Sequence, residues 1–165
     1  MMSVNCGTTL HLMVGLPCAG KTTLAKQLER EQHAVRFTPD QWQLKLFGQD
    51  FSDPDHRRRH NTIEKIMWEM GRQLLQQGIS VILDFGFLRK EQRDYFRREA
   101  KSLGVHFQMH FLNPSMEVLR ARLEQRNRLQ LTQKESTAFI IPLSVLEEWS
   151  HKIQYPDQQE ISLSW

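Results

Sequence analysis

Gly15, Leu16, Pro17, Cys18, Ala19, Gly20, Lys21 and Thr22, with Thr23 behind them, hold two glycines, a lysine and a hydroxyl at the spacing that wraps a polyphosphate: glycine, four residues, then Gly-Lys-Thr. Gly15 and Gly20 can take backbone shapes that other residues resist, so the N–H groups of the loop can turn inward onto an anion. The N-terminus of the helix that follows adds its positive end. Lys21 would neutralise the β- and γ-phosphates, and the Thr22 hydroxyl would hold Mg²⁺. An ordinary glycine-rich strand-to-helix turn is the plain alternative. The agreement of pattern, preceding apolar run (Leu10 to Val14) and following helix (Thr22 to Arg30) favours a bound ATP or GTP. An Asn/Thr-Lys-x-Asp motif of the kind that selects guanine is missing, so ATP is preferred.

Two carboxylates join the loop. Asp84 closes Val81-Ile82-Leu83-Asp84, an apolar strand ending in an acid as in the Walker B pattern, and would sit near Mg²⁺. A carboxylate that merely accepts N–H bonds of the next turn would read the same way. Asp40, in Thr38-Pro39-Asp40, can accept the proton of an acceptor hydroxyl and align it with a γ-phosphate. A simple helix N-terminal acid would look identical.

Arg120, Arg122, Arg126 and Arg128 crowd one helical segment. Arg122 and Arg126 are four apart and share a face, so both can point at one anion, often from a mobile lid. Arg126 is the first choice and Arg122 the second, with the other two as surface or adenine-stacking residues. Arg57-Arg58-Arg59, flanked by His56 and His60, is the densest basic run and reads as a solvated helix face or a substrate contact. Of seven histidines, no pair has convincing zinc spacing. Cys18 lies where a helix N-terminus would lower a thiol's pKa, although a small side chain suffices there. A disulfide to Cys6 is not expected.

These residues need a scaffold that brings strand ends together. Beyond the first strand, Ala34 to Phe37, Ile79 to Leu83 and Val105 to Leu112 read as strands. Between them lie a short helix stopping at Gly48, capped by Thr38, and a loop from Gln49 to Asp55. A long helix follows from about His56 to Gln77, with Ile63, Ile66, Met67, Met70 and Leu74 as its buried stripe and Gly78 as its stop. Arg89 to Leu103 predicts a charged helix with Tyr95, Phe96, Ala100 and Leu103 inward, closed by Gly104. Asn113-Pro114 reads as cap and first turn of a helix to about Arg128, and Leu129 to Ser136 as a polar connection. Pro142 to Gln154 is amphipathic, and Tyr155 to Trp165 would be a strand or a docked tail.

Alternating strands and helices imply an α/β three-layer sandwich of the P-loop NTPase type, a parallel four- to five-stranded sheet with helices on both faces. Ligands then lie at the C-terminal strand ends, which places the loop, Asp40, Asp84 and Asn113 on one rim. The 165 residues are expected to form a single domain, 1–165. Their net charge of +3 fits phosphate handling but is too small to imply nucleic-acid binding. No apolar run reaches membrane-spanning length and Met1 to Leu12 lacks a leader pattern, so the cytoplasm is the default compartment.

Gly-Leu-Pro-Cys-Ala-Gly-Lys-Thr-Thr, then Thr-Pro-Asp-Gln-Trp with Leu-Phe-Gly behind it, Val-Ile-Leu-Asp-Phe-Gly and Arg-Leu-Glu-Gln-Arg-Asn together resemble the small P-loop kinases of the AAA-type domain 33 group. That group is similar to polynucleotide kinase, chloramphenicol phosphotransferase and zeta toxin kinase domains. The resemblance runs from Leu10 to about Glu160. It implies phosphate and Mg²⁺ binding by Lys21 and Thr22, Asp40 as general base, and Arg126, with Arg122, as the lid arginine. Polynucleotide kinases carry an arginine three residues after the base aspartate to grip a substrate phosphate, where this chain has Gln43. The expected activity is therefore ATP-dependent, Mg²⁺-assisted transfer of the γ-phosphate to a hydroxyl of a small molecule. A polynucleotide or nucleotide-sugar acceptor, or a nucleotide-binding ATPase switch, is the alternative.

Overall fold

The computed structural model describes residues 7–162. Four parallel strands, β1 (Thr9–Val14), β2 (Val35–Phe37), β3 (Val81–Gly86) and β4 (His106–Phe111), lie in the order β2-β3-β1-β4. The chain leaves β1 through helix α1 (Lys21–Gln32), passes over β3 to the edge strand β2, and returns. β1 and β3 therefore lie side by side at the centre, and the crevice at their C-terminal ends receives the phosphate loop and the acid of β3.

The alternation of side chains along each strand sorts the core into two faces. Leu10, Leu12 and Val14 of β1, Val81 and Leu83 of β3, and Phe107 and Met109 of β4 pack with α3 (His56–Gln76) and α4 (Lys90–Leu103). Met13 and Ile82 point the other way, onto Ala25 and Leu28 of α1. Beyond the strand ends, α5 (Met116–Thr132), α6 (Leu143–Lys152) and the extended strap 137–141 gather on Leu16 and Ala19 of the phosphate loop, with Phe139, Ile141 and Leu146 buried between them. The sheet with helices on both faces is the architecture expected from the sequence.

Several local expectations change. The buried stripe of α3 is Ile63, Met67, Trp68, Gly71 and Leu75, while Ile66 and Met70 are more than two-fifths exposed. The helix is rotated so that Gly71 meets the sheet, where an added Cβ would stand 3.4 Å from Val81 Cγ1 and 3.7 Å from Phe37 Cε2. The helix then ends as expected at Gly78 (φ 83°). Gly78 N–H donates to Leu75 O at 3.1 Å and Ile79 N–H to Leu74 O at 2.9 Å, the paired closing bonds of a Schellman turn. In α4, Tyr95 is exposed and Arg93 takes the inward place, fully buried. Asn113 is not the cap of α5. Ser115 is, accepting from Val118 N–H at 3.4 Å, and the helix continues to Thr132 through half of the expected connection. The tail forms a short helix, α7 (Gln158–Ser162), rather than a strand. Its Glu160 docks onto Arg93 Nε at 2.5 Å. Thr38 precedes α2 (Pro39–Phe47) but makes no side-chain capping bond, because its hydroxyl is used elsewhere. Cys6 lies outside the described residues, and Cys18 is a free thiol.

Candidate active site

The phosphate loop is tied into the sheet from both sides. Gly15 N–H donates to Gly86 O at 3.0 Å, and Gly15 holds φ 146° with its Cα against β4's exit, where a Cβ would fall 2.5 Å from Leu112 O. No side chain fits there. Gly20 (φ 102°) opens α1, so Lys21, Thr22 and Thr23 form its first turn with their N–H groups free of intrahelical partners. Lys21 Nζ donates to Leu16 O at 2.8 Å, folded over the loop. Burial pulls the lysine down from its ordinary pKa, opposed by Asp84 and Asp40.

Cys18 stands in the left-handed region at φ 64°. Its thiol does not have the lowered pKa that a reactive cysteine needs. Burial raises it, outweighing Arg126, Lys21 and Arg122.

Asp84, expected just past a strand ending at Leu83, is instead buried within β3, two residues before its end, between two hydroxyls. Thr22 Oγ1 donates to its Oδ2 at 2.6 Å and Thr38 Oγ1 donates to the same oxygen at 3.2 Å. Arg36 in turn donates to Thr38 Oγ1. These are side-chain partners, not backbone N–H groups of a turn. Burial pushes the carboxyl up, against Thr22, Lys21 and Thr38. Its other oxygen, Oδ1, is buried with no hydrogen-bond partner. A buried carboxylate oxygen without a donor, beside a threonine hydroxyl at a phosphate loop, is the hard oxygen set that Mg²⁺ takes together with phosphate. No cluster of three or more His, Cys, Asp or Glu side chains suited to a metal occurs among the described residues. The side chains there that could hold such an ion are those of Thr22 and Asp84.

Asp40 sits in the first turn of α2, its side chain 58% exposed to the cleft. Thr38, which sequence reasoning assigned to capping, instead links the base of α2 to Asp84. Its only sequence signal is its place between the β2 end and Asp40. Gln43 is fully buried behind the cleft-lining His56 and His60, bonded to both and to Asp50.

The arginines of α5 separate. Arg122 Nη1 donates to Cys18 O at 3.3 Å, and Arg126 Nη2 donates to Phe139 O at 3.3 Å with its Nε buried and unpartnered. Both border the loop. Arg120 pairs with Glu147 at 2.9 Å and stands outside the cleft, as does Arg128. The strap over the cleft had no periodic signal. It is pinned by Asn127, which donates to Ile141 O at 2.7 Å, and by Gln130, which accepts from Thr137 N–H at 2.7 Å. Gln49 from the α2–α3 corner grips the other edge, donating to Ala138 O at 2.7 Å and accepting from Ile140 N–H at 3.0 Å. The loop, Asp40, Asp84, Arg122, Arg126 and the strap line one cleft of about 1900 Å³. A single small-molecule pocket is roughly 300–1000 Å³, so there is room for a nucleotide and a second ligand.

Residues 10–155 match the AAA_33 family, described as an AAA domain. The chain belongs to the AAA_33 family. No curated protein sequence matches it. Among solved structures, this AAA_33 chain is similar to a chain of the Pnkp1/Rnl/Hen1 RNA repair complex, with 22% identity and a TM-score of 0.65 over 90% of this chain and 44% of that one. It therefore spans less than half the length of that repair protein. It is also similar to a sugar kinase from Janibacter sp. HTCC2649 (17% identity, TM-score 0.64, 93% and 82% covered). A third likeness is to Kti12 of Chaetomium thermophilum in complex with ADP-AlF3 (21% identity, TM-score 0.65, 91% and 82% covered). At these identities the likenesses establish a shared P-loop fold. No helix among the described residues is long and apolar enough to cross a membrane.

Proposed function

We propose that the protein is a phosphotransferase that moves the γ-phosphate of ATP to a hydroxyl of a small molecule. One juxtaposition carries this reading: the phosphate loop and the Thr22–Asp84 pair meet Asp40, the cleft-facing carboxylate at the neighbouring strand end. A nucleotide-binding site alone needs no such second carboxylate.

In the proposed reaction the loop N–H groups and Lys21 hold the β- and γ-phosphates. Lys21 leaves Leu16 O to reach them. Thr22 and Asp84 would hold Mg²⁺, which would supply positive charge against the polyphosphate. Asp40 accepts the proton of the acceptor hydroxyl as its oxygen bonds to the γ-phosphorus. The bond from that phosphorus to the bridging oxygen breaks, and ADP leaves with the electron pair. Arg126 and Arg122 face the loop from α5, where charge spreads over the transferred oxygens.

Incubation with γ-labelled ATP and a panel of hydroxylated antibiotics, nucleosides and sugars tests the reading. One compound class should acquire label, and Asp40→Asn should abolish its labelling. Label passing only to water with every compound would contradict it. The similarity to an RNA repair chain favours a second reading, a polynucleotide 5′ end as acceptor. Gln43, buried where an arginine would grip substrate phosphate, weighs against it. Affinity for RNA that falls steeply with salt would support that second reading.

A further inference from the structure

The carboxylate read above as the base stands beside a histidine that no part of the proposed reaction uses. His60 of α3 is half-buried, and its Nδ1 lies 3.7 Å from Asp40 Oδ1 and 2.9 Å from Gln43 Oε1. Its Nε2 lies 3.2 Å from Glu64 Oε1.

The orientation of Gln43 settles what the ring must donate. Gln43 Nε2 has two oxygen acceptors, Asp50 Oδ2 at 3.1 Å and His56 O at 3.0 Å, and also lies 2.9 Å from His56 Nδ1; the reversed amide would set its oxygen against both of those oxygens. His56 Nδ1, 2.8 Å from Asp50 Oδ1, uses its proton on that carboxylate. Arg59 completes Asp50 at 3.0 Å. The two protons of the Gln43 amide therefore go to Asp50 and His56 O, and its oxygen faces His60 as an acceptor. His60 thus meets an amide oxygen at one ring nitrogen and a carboxylate oxygen at the other. A neutral imidazole has one N–H and satisfies only one of them. The imidazolium satisfies both.

We propose that His60, held as imidazolium between Gln43 and Glu64, is a positioning residue that orients the Asp40 carboxylate toward the acceptor. This rests on the reading of Asp40 as general base. An exposed carboxylate in the first turn of a helix is free to sample rotamers, and a fixed cation at 3.7 Å selects among them. His60 in turn is fixed because Gln43, the residue three places after Asp40, is spent inside a buried network rather than on substrate.

The groups facing His60 are Asp40 and Gln43 from α2, Asp50 from the following loop, and His56 and Glu64 from its own helix; the His56 ring is stacked at 6.1 Å. Burial alone would lower the pKa of His60, but Glu64, then Asp40 and Asp50, outweigh it and leave it above the ordinary histidine value. The sign follows. Asp40 is held while His60 is charged, and its hold is lost as pH rises through the raised His60 pKa. The dependence belongs on the alkaline side.

The test needs no acceptor. In the isotopically labelled full chain, NMR follows the His60 ring and the Asp40 carboxyl carbon across neutral pH. The His60 midpoint should lie above that of an ordinary histidine, with the Asp40 carbon inflecting at the same pH. His60→Gln should erase that inflection. Asp40→Asn and Glu64→Gln should each move the His60 midpoint down, and Glu64→Gln leaves the Gln43 network in place should His60→Gln disturb it. A His60 midpoint at or below the ordinary value, or no inflection at Asp40, overturns the proposal. With the compound labelled by γ-labelled ATP, His60→Gln should lower kcat on the order of ten- to a hundredfold at unchanged KM for ATP. An unchanged kcat also overturns it. Undiminished transfer by Asp40→Asn, with the NMR coupling intact, would refute the base reading alone.

Discussion

Acidification should unfold this protein through a residue far from the chemistry. His11 of β1 is fully buried on the α1 face of the sheet, its Nδ1 3.1 Å from His110 Nε2 and the rings stacked at 5.3 Å. Burial first, and the neighbouring His110 second, lower its pKa from 6.5 to about 4, with Gln32 opposing. In the unfolded chain His11 regains its ordinary value and binds a proton that the folded chain refuses. Stability is therefore complete above 6.5 and declines as pH falls, until the folded protein also protonates near 4. That interval corresponds to about 3 kcal/mol, a substantial part of the roughly 5–15 kcal/mol that holds a domain folded. His110, also lowered by burial, acts in the same direction. Urea unfolding at a series of pH values measures it, with His11→Gln as the reference that subtracts the carboxylates. The wild type should lose about 3 kcal/mol more than His11→Gln between the two pH limits. Parallel pH dependences for the two proteins would refute the reasoning.

Three further outcomes follow from the site and its supports. Gly15→Ala should cost about 1–3 kcal/mol of stability and impair ATP binding, because the new Cβ meets Leu112 O at 2.5 Å and φ 146° is strained for alanine; wild-type urea and nucleotide titrations would contradict this. Asp84→Asn should weaken ATP binding on the order of tenfold in Mg²⁺ but little in chelator, read by calorimetry; equal losses in both would count against Asp84 as the metal carboxylate. Arg93→Met should cost about 3–5 kcal/mol by leaving buried Glu160 with only the more distant Arg97, 3.8 Å away, as counter-charge, and adding Glu160→Leu should recover much of the loss. No recovery in the urea midpoint would mean that the ion pair does not carry the effect.

The parts of this site carried by short sequence patterns were legible. Gly15 to Thr22 could be placed because phosphate chemistry constrains its two glycines, lysine and threonine, and Asp84 because an acid follows a wholly apolar run, although β3 continues past it to Gly86. The two helix stops at Gly78 and Gly104 were equally plain, each at positive φ. What stayed hidden depends on rotation or on distant partners. In α3, apolar residues at 63, 66, 67, 68, 70, 74 and 75 allow more than one buried stripe, and the close approach at Gly71 decides between them. Arg93 sits in the charged run 89–94, and its partner Glu160 is 67 residues away. The strap 137–141 is held by the amides of Gln49, Asn127 and Gln130, a kind of bond that leaves no period in a sequence. Gln43 was noted only for the arginine it replaces. Its buried amide and the histidine behind it emerge from side-chain packing.

The central claim, that the loop and Asp40 form a transfer site and not merely a nucleotide pocket, meets its most direct test in Asp40→Asn. With the labelled acceptor in hand, transfer should fall on the order of 10²- to 10⁴-fold, the usual worth of a general base, while ATP affinity stays near wild type. Transfer at the wild-type rate by Asp40→Asn would contradict the account.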